Sequence, residues 1–371
     1  MSAAELLEEW SEAPLLRGTL AALAVTGSLQ GPYGGGTAYG LLHQMTRGED
    51  PACGVTLVRG GIARLPEILA EIARRHGADI RLSAEVRAIV PGRRGLDVTL
   101  AGGEAIRTET VISTLDPRRT LADLSNQDLI EPGVAKQVLQ FGLQGVVAKV
   151  HLALAQLPDF TGLDRQTEYL RGAISVAPSL EYVERAYDDA KYGGVSRHPF
   201  FEVVVPTLTD PSLAPPGRHV MSVLVQYVPY RLAREPHRDS LAGPQVAEKA
   251  EGDPSGTTWT EARGEALGDL VVQRLADYAP RLPELILARE VLTPADLEGE
   301  LGLTAGDIFQ GQLRLDQLWF MRPIPGWSRY RTPIPGLYLG GAGAHPGGGV
   351  MGTAGYLAAR TVLRDLRRRR T

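Results

Sequence analysis

The stretch from Gly336 to Arg360, GLYLGGAGAHPGGGVMGTAGYLAAR, constrains this chain more than any other. Leu337, Tyr338 and Leu339 form a short apolar run of the kind that makes a buried strand. Glycine then recurs densely as far as Gly355, and Tyr356 to Arg360 favour a helix. Strand, glycine loop and helix in that order bring backbone N–H groups and a helix N-terminus close to a phosphate or a polar ring edge. Gly347, Gly349 and Gly352 have the spacing G-x-G-x-x-G. This is not read as a dinucleotide fingerprint, which needs a second strand and an acidic residue about 20 positions on; the sequence given stops first. Taken alone, the segment is equally well explained as a tight strand-to-helix turn.

The chain has 371 residues, 43% of them hydrophobic, enough for a large core and two lobes. A formal charge of −4 implies neither a nucleic-acid nor a membrane-surface partner. Cys53 is the sole cysteine, which excludes a disulfide framework, a thiolate metal cluster and a CxxC pair within one chain. No run is apolar enough to span a bilayer, and MSAAELLEEW lacks the order of a signal peptide, so a cytoplasmic protein is expected. There is no G-x-S-x-G elbow, no phosphate-binding G-x-x-x-x-G-K-[ST] loop and no H-x-x-x-H zinc spacing, so no metal ligand is assigned.

Ser2 and Glu5 have capping-box spacing, which predicts a helix almost from the first residue, with a second opening at Pro14. TGSLQGPYGGGTAYG reads as a mobile loop lining a cleft. Leu65, Ile68, Leu69 and Ile72 mark an amphipathic helix that stops at Gly77. From Ile80 to Val90, apolar and polar residues alternate as in a half-buried strand. Leu96–Leu100 and Ala105–Arg107 form a hairpin, and Thr110–Ser113 is a buried strand that leads to Asp116-Pro117, where Asp116 suits a helix N-cap. Val146–Leu154, Phe201–Val205 and His219–Val228 are the strong strands of a second lobe. Lys149 and His151 share a face, either to hold an acidic substrate or as a solvated sheet surface. Arg231–Thr258 is polar and rich in proline and glycine, as in an exposed excursion. Leu267 to Tyr278 make a helix, Thr293-Pro294-Ala295-Asp296 starts another, and Arg367–Arg370 reads as a solvated tail.

The glycine segment resembles the C-terminal flavin-contacting motif of the phytoene desaturase-like branch of FAD-dependent oxidoreductases. The nearest group is the pyridine nucleotide-disulfide oxidoreductase domain-containing protein 2 type. VRGGIARLPEILAEIARRHGADIRLSAEV, TVISTLDPRRT, APSLEYVERAYDDAKYG, LAPPGRHVMSVLVQYVPY and GWSRYRTPIPGLYLGGAGAHPGGGVMG fit that group in the right order. The resemblance implies an α/β fold: a partial FAD-binding lobe, its N-terminal Rossmann half absent, plus an inserted substrate lobe with a mixed sheet and helices. Residues 1–59 would be substrate-side helices and loop, 60–121 and 331–371 pieces of the FAD lobe, and 122–330 the substrate lobe. Gly341, Ala342, Gly343, His345, Pro346, Gly347, Gly348, Gly349, Val350 and Met351 would then line the flavin, where side chains would clash. Val86 would meet the adenine through its backbone, or be an ordinary strand valine. His345 would act as acid or base beside the flavin, or orient the loop. Ala344 stands where the family is expected to carry threonine.

The family's G-x-G-x-x-G half is expected before Met1. The chain is accordingly read as half of a split enzyme, a truncated product, or a descendant without flavin. Two functions follow. One is an FAD-dependent oxidoreductase for an apolar or lipid-like small molecule, completed by a Rossmann-half partner chain or a homo-oligomer. The other is a non-catalytic binding module that keeps the fold without FAD.

Overall fold

The computed structural model describes residues 1–45, 57–125, 130–163, 166–233 and 258–370. Within them the secondary structure is mixed α/β, and the chain divides into two compact units, Met1–Ile80 with Gly145–Gly306, and Arg81–Gln144 with Asp307–Thr371. Helices α1 (Ala3–Trp10), α2 (Pro14–Val25), α3 (Thr37–Met45) and α4 (Arg64–Arg75) open the first unit. Strands β1 (Val86–Pro91), β2 (Leu96–Leu100), β3 (Ala105–Thr108) and β4 (Val111–Ser113), with helix α5 (Pro132–Leu139), begin the second. The first unit resumes with β5 (Val147–Leu154), β6 (Ile174–Val176), α6 (Leu180–Lys191), β7 (Phe201–Val204) and β8 (His219–Gln226). It ends with α7 (Glu261–Ala276), α8 (Leu282–Leu285), β9 (Ile286–Leu292) and α9 (Pro294–Leu301). The second unit closes with β10 (Leu337–Leu339) and α10 (Thr353–Arg370).

In the first unit, the alternation along β5 decides which face of the sheet is dry. Ala148, Val150, Leu152 and Leu154 are fully buried and pack with Phe201, Val203, Met221 and Val223 of neighbouring strands and Leu267, Val271 and Leu275 of α7. Each of these side chains larger than alanine contributes about 1.5–3 kcal/mol by leaving water. The strand order is β6-β7-β8-β5-β9. The sheet expected to be mixed is antiparallel at every pairing, because β5 lies between two strands that both run against it and the proline-rich connection from β7 to β8 reverses the chain.

A second core joins α1, α2 and α3 to α6, Phe200 and Tyr227. The predicted capping box closes α1: Ser2 Oγ accepts from the Glu5 N–H at 3.1 Å, and Glu5 Oε2 accepts from the Ser2 N–H at 2.7 Å. The stretch read as a loop through Gly40 is shorter than expected. Buried Thr37 already begins α3, and its Oγ1 accepts from the Ala3 N–H at 2.8 Å. Gln226 is fully buried, takes the Gly27 N–H at 2.8 Å, and donates to the Val25 and Ser28 carbonyls. Helix α4 forms where the periodicity predicts, yet it has no buried residue: Ile68 and Leu69 are 46% and 58% exposed.

In the second unit, β1, β2 and β3 make an antiparallel meander. The strand expected from Ile80 starts only at Val86, since Ser83 takes a φ of 53° that breaks the extended run and leaves Leu82 exposed. β4 and β10 form a two-stranded parallel ribbon, Val111 opposite Leu337 and Ser113 opposite Leu339. The arginines read as a tail belong to the last turns of α10. Asp365 of α10 receives Arg331 through two bonds of 2.6 and 2.7 Å and Tyr338 Oη at 2.9 Å, so the helix is tied to β10. The Arg331 guanidinium also holds the Asp365 carboxyl below its ordinary range. Cys53 and most of the Arg231–Thr258 excursion lie outside the described residues.

Candidate functional site

β10 delivers the glycine loop and α10 receives it, all within the second unit. The Gly340 N–H extends the parallel ribbon by one bond to the Ser113 carbonyl, at 2.8 Å. Two turns follow, with Ala344 N–H on the Gly341 carbonyl at 3.0 Å and Gly347 N–H on the Ala344 carbonyl at 2.9 Å. The loop packs against the end of β4. A Cβ at Gly341 would lie 2.0 Å from the Thr114 carbonyl oxygen, and one at Gly343 would lie 2.4 Å from Pro117 Cδ. These two glycines are therefore required by the protein's own packing, a reason that the sequence alone did not supply. Asp116 helps to fix that surface, since its Oδ1 accepts from the Arg119 N–H at 2.9 Å.

His345 is half-buried in the loop. Burial pushes its imidazole below the ordinary value, against a hydrogen bond to the Trp319 backbone that raises it, and the nearby Arg322 charge lowers it further. Its Nδ1 is buried and has no hydrogen-bond partner among the described residues. A neutral ring with one nitrogen engaged and the other unpartnered is ready to exchange a hydrogen bond with an added group. Beyond it, Val350, Met351 and Gly352 are exposed, and nothing lies within 4 Å of a Cβ built at Gly352. The first N–H groups of α10 follow directly, and a helix leaves these without partners of its own. The orphaned nitrogen, the exposed rim and the open helix start suit a polar, partly anionic ring edge, and so fit a flavin.

The loop is held from behind by Arg322, which sequence reasoning missed. Its side chain is fully buried. The guanidinium donates to Ala342 O through Nε at 3.1 Å and Nη2 at 2.7 Å, to Gln312 O and Gln317 O at 3.1 and 3.2 Å, and to Phe309 O at 2.9 Å. Desolvation pulls it down to about 10. Asp307, buried in the same region, accepts from the Gln144 and Phe309 N–H groups, both at 3.0 Å, and burial pushes its carboxyl up. Of the residues singled out in the sequence, Gly341 to Met351 are brought together by chain continuity. Val86 is on the antiparallel meander, opposite Leu100, and packs against the core that includes Ile89 and Leu96. In the first unit, Lys149 and His151 are half-buried, with Lys149 Nζ donating to Ser222 Oγ at 2.9 Å. Burial lowers both groups. A cavity of about 1020 Å³ along α6, lined by Tyr182, Arg185, Tyr192 and His198 among others, contains none of the loop residues.

The family model described as flavin containing amine oxidoreductase matches residues 31–242, more than half of the chain. The chain is 36% identical over 372 residues to the pyridine nucleotide-disulfide oxidoreductase domain-containing protein 2 of Rattus norvegicus, across 98% of this chain and 60% of that one. It is 26% identical over 338 residues to a lycopene-forming phytoene desaturase of a Paracoccus species, across 90% of this chain and 60% of the relative. Wild-type putrescine oxidase bound to putrescine matches in fold with a TM-score of 0.54 at 16% identity, over 99% of this chain and 68% of that one. The class is thus an amine-oxidase-like α/β fold. Within it, the chain belongs to the flavin containing amine oxidoreductase family. It spans about 60% of the length of these curated relatives. No helix among the described residues is long and apolar enough to cross a membrane.

Proposed function

We propose that this chain supplies the substrate lobe and the C-terminal part of the cofactor lobe of a cytoplasmic FAD-dependent oxidoreductase. Its substrate would be an apolar, lipid-like small molecule. The observation that carries this reading is the loop from Gly340 to Gly352, where an unpartnered buried Nδ1 of His345 stands beside an open helix start. Bound FAD would supply the ring that accepts a hydride. The loop backbone from Gly341 to Gly349 would hold that ring, and Val86 would meet the adenine end through its backbone. The α10 N-terminus favours negative charge at whatever edge it faces. His345, held neutral by burial, would accept a hydrogen bond or a proton at Nδ1. Val350 and Met351, both exposed in this chain, would form an apolar rim that keeps water from the ring.

The open apolar side of α4 supports a separately encoded Rossmann half or a homo-oligomer as partner, because Leu65, Ile68, Leu69 and Ile72 have no cover among the described residues. A non-catalytic binding module is favoured by one observation: packing alone already demands Gly341 and Gly343. The visible spectrum of the purified chain, with and without added FAD and with a co-expressed Rossmann half, separates the two. A stoichiometric flavin band in any of these supports the oxidoreductase. No band in all of them refutes it and leaves the binding module.

A further inference from the structure

Arg322 ties the glycine loop to the segment that precedes it in the same unit. Its planar fork places two donors on the Ala342 carbonyl, while its remaining donors reach carbonyls of the segment from Phe309 to Gln317. Among the described residues it forms no ion pair with a carboxylate, so its charge is spread over carbonyl dipoles, with the charge of buried Asp307 acting to favour it. Such charge-assisted bonds are worth more than neutral ones and are directional. Gln310 adds a second strut, its Oε1 accepting from the Gly343 N–H at 3.3 Å. The Phe309–Gln317 segment is fixed in turn by Asp307 and by Gln312, whose Nε2 donates to Gln144 O at 2.7 Å. One fully buried side chain thus couples an internally braced segment to the loop that carries His345.

We propose that Arg322 is the positioning residue of this loop: its guanidinium fork fixes the backbone at Ala342 and thereby sets where Gly343 to Gly347 and the His345 ring stand. The inference rests on the flavin reading only for its consequence, that a loosened loop binds FAD more weakly. A lysine at this position would keep a charge but not the planar fork, which grips one carbonyl with two nitrogens while reaching others. A methionine would fill similar space with neither.

The test compares wild type with Arg322→Lys and Arg322→Met by amide hydrogen exchange on the purified chain without flavin, together with the His345 ring pKa by NMR. Loss of two charge-assisted bonds predicts exchange about 10- to 100-fold faster at residues 341–349 in both variants. The β1-β2-β3 meander should keep its protection in Arg322→Lys. The His345 pKa should rise toward the ordinary value in Arg322→Met, a change that a purely structural role elsewhere in the unit would not produce. Unchanged loop exchange in both variants would overturn the proposal. So would protection lost evenly across the unit in Arg322→Lys, or a His345 pKa that does not move in a folded Arg322→Met. Where Arg322→Met does not fold, Arg322→Lys decides alone. If wild type binds added FAD, its dissociation constant should rise about tenfold or more in Arg322→Lys. A wild type that binds no flavin either alone or with a co-expressed Rossmann half counts against the oxidoreductase reading and leaves the exchange result standing.

Discussion

Replacing Gly341 by alanine puts the loop's packing to a quantitative test. The added Cβ would stand 2.0 Å from the Thr114 carbonyl oxygen, 2.6 Å from its carbon and 3.0 Å from Gln310 Oε1. Neither the ribbon end nor the backbone of Thr114 is a flexible tip that can swing aside, so the loop must move by more than an ångström. That movement strains the Gly340 bond to Ser113 and the Gly343 bond to Gln310. Overpacking costs about 1–3 kcal/mol, and a weakened hydrogen bond adds about 1 kcal/mol, for a total near 2–4 kcal/mol. In a unit of roughly 130 residues this lowers Tm by about 10 °C. Gly133→Ala is the matched control: it lies in α5 of the same unit with nothing within 4 Å of the new methyl, and should stabilise by about 0.5–1 kcal/mol. Differential scanning calorimetry of both variants, with urea melts for ΔG, reads the outcome. Gly341→Ala melting within a degree of wild type would refute the claim that protein packing demands this glycine.

Burial holds His151, His219 and His345 below the ordinary 6.5, so as pH falls below about 6.5 the unfolded chain binds protons that the folded chain refuses. Stability should therefore decline between pH 7.5 and 5.5, and His345→Gln should lose part of that slope in paired thermal melts. Gln226→Leu strands the Gly27 N–H and two carbonyls in a dry site and should cost about 3 kcal/mol in urea unfolding. Asp365→Asn should cost only about 1 kcal/mol, because the Arg331 side chain is 41% exposed and solvent screens the pair.

Periodicity made the strong strands and several helices readable, though not that the sheet is antiparallel throughout: the buried residues of β5 are those that its alternation selects, and the capping motifs at Ser2 and Thr293 form as spelled. Leu82 misled, because a left-handed φ at Ser83 leaves no mark in an alternating pattern. β9, with Ile286 to Leu292 only partly buried, gave too faint an alternation to stand out. In the candidate site, the glycine loop was plain in the sequence, whereas Arg322 was not. Its partners are backbone carbonyls of Phe309, Gln312, Gln317 and Ala342, and a carbonyl has no letter in a sequence. The sequence left Lys149 and His151 open between an acidic-substrate site and a solvated sheet face, and their half-burial, with Lys149 on Ser222, has no letter either.

The parallel ribbon sets an order of events during synthesis. Val111 of β4 pairs with Leu337 of β10, and the whole run from Gly145 to Gly306 emerges between them. At about 5–20 residues per second, β4 waits on the order of 10–45 seconds for its neighbour. The first unit has all its strands before then, because β5 to β9 lie within the intervening stretch. The early part of the second unit must spend that interval without its ribbon partner, with Ile112 and Val111 open to whatever apolar strand comes first.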